Sequence, residues 1–441
     1  MTTKNTVREI ALDALLEILE HDRYSHIVVG RTLDKFRYLS RQERAFLKRL
    51  IEGTVECRIQ EDYVIGQFST VKMKKMKPVI RTILRMSVYQ LFHMDSVPDS
   101  AVCNEAVKLA TSRGFSGLRG FVNGVLRNIA RKKDTVTWPD RSVRYSMPQW
   151  ILDRWDRDCG KEACDAMLNA FSEPSGMTVR VVEGLDPEQV IRSLKEDGAA
   201  VTELWPDRRI LRLDGVDQPD MLRAFQEGKI RIQDLSSALQ GYAAGFKAGD
   251  TVIDVCGAPG GKAIHAAELV GPEGHVTVRD LSENKILLTE ANIAQTGLSN
   301  LTAEVRDASR FVPEDEESCD VLICDLPCSG LGVIGRKPDI RYHASEEAIR
   351  DLAGLQRTIL ETVWKYVKHG GTLIYSTCTV TREENEENRR WFLEHFPFEA
   401  VDISGRFGSG LDDGTLKEGY VQLLPGAHPC DGFFIAVFRR Q

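Results

Sequence analysis

The chain has 441 residues, of which 42% are hydrophobic and 28% are charged. At roughly 100–200 residues per domain this length predicts two to four domains, and the composition excludes disordered and fibrous proteins. No apolar run approaches the ~20 residues of a membrane span, and ten cysteines in so long a chain are too sparse for a disulfide scaffold. We therefore expect a cytoplasmic protein with reduced thiols, no membrane partner and no bound metal.

Charge is distributed unevenly along the chain. Residues 1–140 hold 24 Lys and Arg against 16 Asp and Glu, whereas the remainder holds 34 against 49. A basic front on an acidic body indicates contact with a polyanion. A solvated helical surface with a chance excess of cations is the alternative that charge alone leaves open.

The first 133 residues have the hydrophobic period of helices throughout. One apolar stripe begins at Val7 and continues at Ile10, Ala14 and Ile18, at the spacing of a single buried helix face. Two basic clusters lie at 72–77 and 127–133. We predict an all-α domain over residues 1–135.

A polar linker around 132–140 is followed by two predicted helices between 148 and 171. The pattern then changes to a β-α-β-β unit between 177 and 232, where short apolar runs surround one helical stretch at 187–197. We predict that residues 145–232 form a helical linker and a small α+β subdomain.

From residue 250 onward, short β-branched runs alternate with helical stretches. The runs lie at 251–255, 275–278, 321–324 and 372–375. This alternation predicts a mostly parallel sheet with helices on both faces, a Rossmann-like α/β domain over residues 233–441. Such sheets bind ligands beyond the carboxyl ends of their strands.

The first of these strands runs into a glycine-rich turn, DVCGAPGGKA, from Asp254 to Ala263. Cys256 and Ala263 break the pattern of a phosphate loop, and the spacing of the glycines does not fit the dinucleotide fingerprint. S-adenosylmethionine is the remaining common ligand of this crevice. Asp280 follows the second strand, where it can accept hydrogen bonds from ribose hydroxyls, and Asp307 can accept from the adenine amino group.

Two cysteines follow two further strands of the predicted sheet. Cys328 lies in an Asp-Leu-Pro-Cys turn that begins at Asp325, and Cys378 ends a Tyr-Ser-Thr-Cys run. A buried loop cysteine is the simplest interpretation of either one alone, but the pair could face one cleft. The acidic run 383–388 that follows is most simply the charged first turn of a helix.

Two thiols suit methylation of a carbon atom. C5 of cytosine is a poor nucleophile until a thiolate adds to C6 and N3 is protonated, which makes C5 an enamine carbon. The enzyme must then remove the C5 proton and expel the sulfur. One cysteine would attack and the other would assist release.

The motifs Asp-x-Cys-x-Ala-Pro-Gly-Gly-Lys, Asp-x-Pro-Cys-Ser-Gly-x-Gly and Tyr-Ser-Thr-Cys, in this order, closely resemble those of the Sun (Fmu) family of RNA cytosine-5 methyltransferases. Segments 104–110 and 121–128 resemble the helical domain that the bacterial ribosomal RNA branch of this family shares with the antitermination factor NusB. The resemblance covers nearly the whole chain.

This resemblance implies that Cys378 is the nucleophile, that Cys328 assists release of the product, and that Asp325 and Lys262 contact the cytosine. The residues that it implies for binding S-adenosylmethionine are Cys256, Gly257, Ala258, Pro259, Gly260, Gly261, Lys262, Asp280, Asp307 and Asp325.

The expected reaction is transfer of a methyl group to C5 of a cytosine in small-subunit (16S) ribosomal RNA. We expect the RNA to be naked or partly assembled, because a base packed in a finished particle would be out of reach. Two alternatives stay open. One is the same chemistry on transfer RNA, and the other is a non-catalytic, antitermination-like RNA-binding factor.

Overall fold

The structure, a computed structural model, describes residues 6–173, 176–216, 219–407, 411 and 414–441. By its internal contacts the chain divides into two compact units. The first comprises Met1–Cys164 and Arg336–His343, and the second comprises Asp165–Gly335 and Ala344–Gln441. Among the described residues, no helix is both long and apolar enough to cross a membrane.

Helices build the first unit, as the periodicity predicted. They are α1 (Val7–Glu20), α2 (Ser25–Lys35), α3 (Arg41–Glu56), α4 (Arg58–Phe68), α5 (Pro78–His93), α6 (Asp99–Ser112), α7 (Arg119–Lys132), α8 (Arg141–Arg144), α9 (Gln149–Asp158) and α10 (Lys161–Ser172), within which the division between the units falls. The buried faces of α1 to α7 form one hydrophobic core, to which Leu15, Leu50 and Leu84 contribute. The lysines of the basic cluster 72–77 are exposed.

Local sequence determines where several of these helices begin. Thr6 and Glu9 form a capping box, in which each side chain accepts a hydrogen bond from the other residue's backbone N–H, at 3.3 and 2.8 Å. Pro78 starts α5, where its fixed φ suits the first helical turn and no N–H is needed.

Helix α2 is capped by a distant residue instead. The carboxylate of Asp339, in the segment Arg336–His343, accepts hydrogen bonds from the backbone N–H and the hydroxyl of Ser25 at 2.7 and 2.5 Å. Nearby, the ring of Tyr342 packs against the helical core, and its hydroxyl donates to the carbonyl of Glu56 at 3.1 Å. This short segment therefore completes the first unit from a remote part of the sequence.

A small antiparallel sheet opens the second unit, with strand order β2-β3-β1-β4. Its elements are β1 (Met177–Val181), α11 (Pro187–Glu196), β2 (Ala200–Glu203), β3 (Ile210–Asp214), α12 (Arg223–Gln226) and β4 (Ile230–Ile232). Arg180 of β1 is fully buried. Its guanidinium donates to the carboxylate of Glu268 and to the side-chain oxygen of Gln233, both at 2.7 Å. Pairing and hydrogen bonding stabilise a buried charge of this kind.

The large sheet has the order β10-β12-β9-β8-β5-β6-β7, with β11 paired to β12. The elements are α13 (Leu235–Ala244), β5 (Thr251–Asp254), α14 (Gly261–Val270), β6 (His275–Asp280), α15 (Glu283–Ala294), β7 (Leu301–Val305), β8 (Cys319–Asp325), α16 (Ile340–His343, part of the first unit), α17 (Glu346–Val363), β9 (Val367–Thr377), α18 (Glu386–His395), β10 (Phe398–Ala400), β11 (Tyr420–Leu423) and β12 (Phe433–Arg440). Strands β5 to β9 run parallel, whereas β12 pairs antiparallel with β9, β10 and β11.

The structure supports a prediction on the remote cap of α2. In Asp339→Ala, the N–H and hydroxyl of Ser25 lose their acceptor while they remain buried. We expect this to lower the stability of the first unit by about 1–3 kcal/mol. Native-state hydrogen exchange of the α2 amides measures the loss. The control is Asp34→Ala, which removes an exposed ion pair with Arg37 and should change exchange little.

Candidate active site

The carboxyl ends of β5 to β9 carry every residue that the sequence predicted for the site. These ends lie at one edge of the parallel part of the sheet, where open α/β sheets bind their ligands. In the register of β6 and β7, Asp280 lies opposite Val305, and Asp325 of β8 lies opposite Ser376 of β9. The loops after these strands therefore converge.

The turn after β5 requires glycine at some of its positions and leaves open space at another. A Cβ on Gly257 would lie 2.3 Å from a carboxylate oxygen of Asp254. Gly260 has a φ of 99°, which favours glycine, and it directly precedes α14. A Cβ on Gly261 would meet only open space, and no described side chain caps the start of α14. Backbone N–H groups of this first turn are thus available to a ligand.

The predicted cofactor carboxylates differ in how their oxygens are engaged. Asp280 is buried, and it accepts from the N–H of Ser282 at 3.0 Å and from Nζ of Lys285 at 3.1 Å. Asp307 accepts from both the hydroxyl and the N–H of Ser309, at 2.6 and 3.0 Å, and these bonds lower its pKa. One oxygen of Asp307 is therefore engaged in a turn of its own loop.

The two predicted thiols meet at this edge. Sγ of Cys328 lies 3.2 Å from Sγ of Cys378. Backbone hydrogen bonds connect the loops that carry them. The N–H of Gly332 donates to the carbonyl of Cys378 at 3.1 Å, and the carbonyl of Gly332 accepts from the N–H of Gly432 at 2.9 Å. A Cβ on Gly332 would lie 2.0 Å from the carbonyl oxygen of Gly432, so the close approach requires glycine.

The hydrogen bond with Cys378 and burial together raise the pKa of the Cys328 thiol. Cys328 consequently keeps its proton and can donate it in a hydrogen bond to the sulfur of Cys378. Such a bond stabilises a thiolate, which is the reactive form of cysteine.

A chain of polar side chains lies beside the thiols. Nζ of Lys262 donates to one carboxylate oxygen of Asp325 at 2.8 Å, and the hydroxyl of Ser376 donates to the other at 2.8 Å. Burial lowers the pKa of Lys262, but the neighbouring carboxylates outweigh this effect and its pKa is raised. Lys262 is thus held as a cation, 5.3 Å from the centre of the Phe433 ring.

The acidic run 383–388 differs from its prediction, because its first residues precede the helix. Helix α18 begins at Glu386, and Glu384 lies in the turn before it with 0% of its surface exposed. Its carboxylate accepts from the N–H of Ser329, in the loop of Cys328, at 2.8 Å. The interpretation of the run as the charged first turn of a helix is therefore wrong for Glu384, because Ser329 lies 55 residues away and the local pattern cannot reveal it.

Asp254 is the most strongly perturbed carboxyl of this edge. It is fully buried, and no described side chain donates a hydrogen bond to its carboxylate oxygens. Burial, reinforced by the charge of Asp325, raises the pKa of Asp254 to about 7. Asp254 therefore differs from Asp280 and Asp325, each of which is paired with a lysine.

This raised pKa makes stability depend on pH. The folded chain holds the Asp254 proton up to about pH 7, whereas the unfolded chain releases it near pH ~3.9. Between these values the folded state binds more protons, so raising the pH lowers the free energy of unfolding. In Asp254→Asn the decrease in the free energy of unfolding between pH 4 and pH 8 should be smaller by up to about 4 kcal/mol, as measured by urea unfolding. Asp351→Asn, at an exposed site, should leave the pH profile unchanged.

Two family models match the chain. One, described as 16S rRNA methyltransferase RsmB/F, matches residues 243–439, and the model of the NusB family matches residues 5–131. The fold class predicted from sequence, with an all-α NusB-like domain, a small α+β insert and a Rossmann-like methyltransferase domain, is confirmed.

Relatives align along the whole chain. The probable ribosomal RNA small subunit methyltransferase B of Bacillus subtilis is 36% identical over 451 residues, which cover 99% of both chains. A protein of the same name from Synechocystis is 31% identical over 99% of both. The crystal structure of a methyltransferase homologue from Pyrococcus horikoshii is 27% identical, with a TM-score of 0.59 over 69% of this chain and 100% of that one. The chain belongs to the RsmB/F family of methyltransferases and is an S-adenosylmethionine-dependent RNA methyltransferase with a NusB-like N-terminal domain.

Proposed function

We propose that the enzyme methylates C5 of a cytosine in small-subunit (16S) ribosomal RNA through a covalent bond between Cys378 and C6 of the base. The observation that carries this proposal is the pair of thiols, 3.2 Å apart, beside the Lys262–Asp325 pair. Methylation of an amino group would need neither thiol, because a nitrogen lone pair attacks directly. Two sulfurs in one cleft favour a carbon target that must be activated and then released.

The sheet edge suits a cationic cofactor. S-adenosylmethionine supplies a methyl group on a positively charged sulfonium, together with an amino group and a ribose diol. The carboxylates of Asp280 and Asp325 would repel a phosphate but can accept hydrogen bonds from this ligand. We propose that the turn from Cys256 to Lys262 holds it with these carboxylates and Asp307.

Cys378 acts as the nucleophile in this proposal. Its sulfur forms a bond to C6 of the cytosine while N3 takes up a proton, and the electron pair of the C5–C6 double bond becomes available at C5. Lys262 and Asp325 contact the base, the proton that N3 takes up comes from the hydrogen bond between them, and it returns to this pair when the base is released. C5 then takes the methyl group.

Cys328 assists the release step. After methylation the C5 proton leaves to a base, the C5–C6 double bond re-forms, and the bond between C6 and Cys378 breaks with the electron pair returning to sulfur. The Cys328 S–H, 3.2 Å away, stabilises the departing thiolate by hydrogen bonding.

We propose that the helical domain over residues 1–135 and the insert over residues 145–232 bind the RNA, while residues 233–441 carry the chemistry. The exposed lysines of the cluster 72–77 favour phosphate contacts. A target base must leave its stack to reach both thiols, so the substrate is naked or partly assembled RNA in the cytoplasm.

A first prediction concerns the cofactor. Asp280→Ala removes an acceptor for the ribose hydroxyls and should weaken S-adenosylmethionine binding by about 1–3 kcal/mol in calorimetry. Glu283→Ala, on the exposed first turn of α15, is the matched control and should bind normally. Unchanged affinity in the folded Asp280→Ala variant would contradict this cofactor site.

A second prediction separates the thiols. Cys378→Ala cannot form the adduct, whereas Cys328→Ala should attack the base, transfer the methyl group and then stall. Denaturing electrophoresis after incubation with RNA and S-adenosylmethionine should reveal a slow protein–RNA band for Cys328→Ala only. The double variant is the control and should give no band. A band for Cys378→Ala instead would exchange the two roles.

A third experiment identifies the substrate. Labelled methyl groups should enter naked 16S ribosomal RNA, and sequencing after bisulfite treatment should place them at C5 of a cytosine. Incorporation into transfer RNA alone would favour the alternative substrate, and no transfer to any RNA would favour a binding factor.

A further inference from the structure

One carboxylate near the thiols has no part in the reaction as described above. Glu384 is fully buried, yet its carboxylate receives four hydrogen bonds. The donors to one oxygen are the N–H of Ser329 at 2.8 Å and the side chain of Gln356 at 3.2 Å, and the donors to the other are the hydroxyls of Ser329 and Thr381, each at 2.6 Å. All four donors are neutral groups, so the site is built to hold a negative charge by hydrogen bonds.

These bonds connect the two cysteine loops. Ser329 directly follows Cys328, and its hydroxyl also lies 2.7 Å from the hydroxyl of Thr379, which directly follows Cys378. Thr381, two residues further along, bonds the same carboxylate. Glu384 thus fixes the loop of one thiol to the loop of the other.

Gln356 of helix α17 bonds both to Glu384 and to the loop of Cys328. The side-chain nitrogen of Gln356 donates to the carbonyl of Pro327 at 2.9 Å, directly before Cys328, as well as to Glu384. The oxygen of Gln356 accepts from the hydroxyl of Tyr375 at 3.0 Å. Both sides of Cys328 are therefore attached to one buried network, and such networks hold a single geometry when every member is satisfied.

We infer that Glu384 is a positioning residue for release of the methylated base, because its carboxylate holds the Cys328 and Cys378 loops at the separation at which the two sulfurs meet. The inference rests on the proposed function, in which Cys378 alone attacks and Cys328 serves release. A glutamine at this site replaces one acceptor oxygen by an NH2 group, so the hydroxyls of Ser329 and Thr381 would have to accept where they now donate, and the negative charge is lost. Without the carboxylate the Cys328 loop is free to leave its partner.

The charge of Glu384 has a second effect on the same step. After the hydrogen bond to Cys378 and burial, this charge contributes to the raised pKa of Cys328. The carboxylate therefore keeps the proton on the thiol that stabilises the departing sulfur.

A cross-linking experiment tests the geometry without any RNA. Diamide takes two electrons and two protons from a pair of thiols, so Cys328 and Cys378 would lose their S–H hydrogens and form one S–S bond. Sulfurs 3.2 Å apart need to move only about 1 Å to reach disulfide length. Peptide mapping measures the rate at which this disulfide forms. In Glu384→Gln and Ser329→Ala we expect that rate to fall at least about tenfold, because one lost hydrogen bond to a charged group has an effect of this size.

A kinetic experiment tests the effect on the reaction. With 16S ribosomal RNA, Glu384→Gln should keep a first round of methyl transfer and the KM for RNA, but steady-state turnover should fall at least about tenfold. The protein–RNA adduct should accumulate, as in Cys328→Ala. A role in folding alone would reduce the first round and later rounds by the same factor and would leave no adduct.

Glu387→Gln is the matched control, because it neutralises an exposed carboxylate of the same acidic run and should behave as the unmodified protein. Ser329→Ala removes the hydroxyl bonds to Glu384 and Thr379 but leaves the carboxylate in place, so it serves if Glu384→Gln fails to fold. An unchanged rate of disulfide formation in a folded variant would overturn the inference. Slow disulfide formation together with no adduct in Cys328→Ala would instead retain the positioning role and reject the proposed chemistry.

Discussion

The parallel pairing of β8 with β9 is the constraint on which the site depends. It aligns Asp325 with Ser376, so the segments that leave the two strands start side by side at one edge of the sheet. Cys328 and Cys378 are 50 residues apart in the chain, yet their sulfurs lie 3.2 Å apart because each follows its strand by a short loop. A one-residue slip of this register would turn every side chain of the slipped strand to the opposite face and separate Ser376 from Asp325.

Electrostatics at this edge separate two kinds of buried carboxylate. Asp254 has no side-chain donor within the described chain, and burial raises its pKa, which suits a site that binds a cationic ligand. Glu384 is equally buried but accepts four hydrogen bonds from neutral groups, which suits a permanent structural charge. The same side-chain chemistry thus serves ligand binding in one place and loop geometry in another, and only the surrounding donors distinguish the two.

Sequence patterns predicted the elements that depend on local order. Strands β5, β6, β8 and β9 were evident from β-branched runs, and the cysteines and glycines followed from their positions just after them. The antiparallel strands β10 to β12 were not predicted, because their neighbours are determined by pairing across the sheet and not by alternation with helices. Glu384 and Asp339 were missed for a related reason. Each looks like an ordinary acidic residue in the sequence. Apart from the nearby Thr381, the donors to the Glu384 carboxylate lie 28 and 55 residues away, and Ser25 lies 314 residues from Asp339.

The segment Arg336–His343 has a consequence for the order in which the protein is made. The helical unit is synthesised through Cys164, but its last piece follows only after the 171 residues of Asp165–Gly335. At about 5–20 residues per second this interval lasts roughly 10–30 s. Throughout that time the amino end of α2 lacks its Asp339 acceptor, and the place of Tyr342 beside the helical core is empty. The nascent helical domain therefore reaches its final contacts only after the ribosome has already produced the loop that carries Cys328.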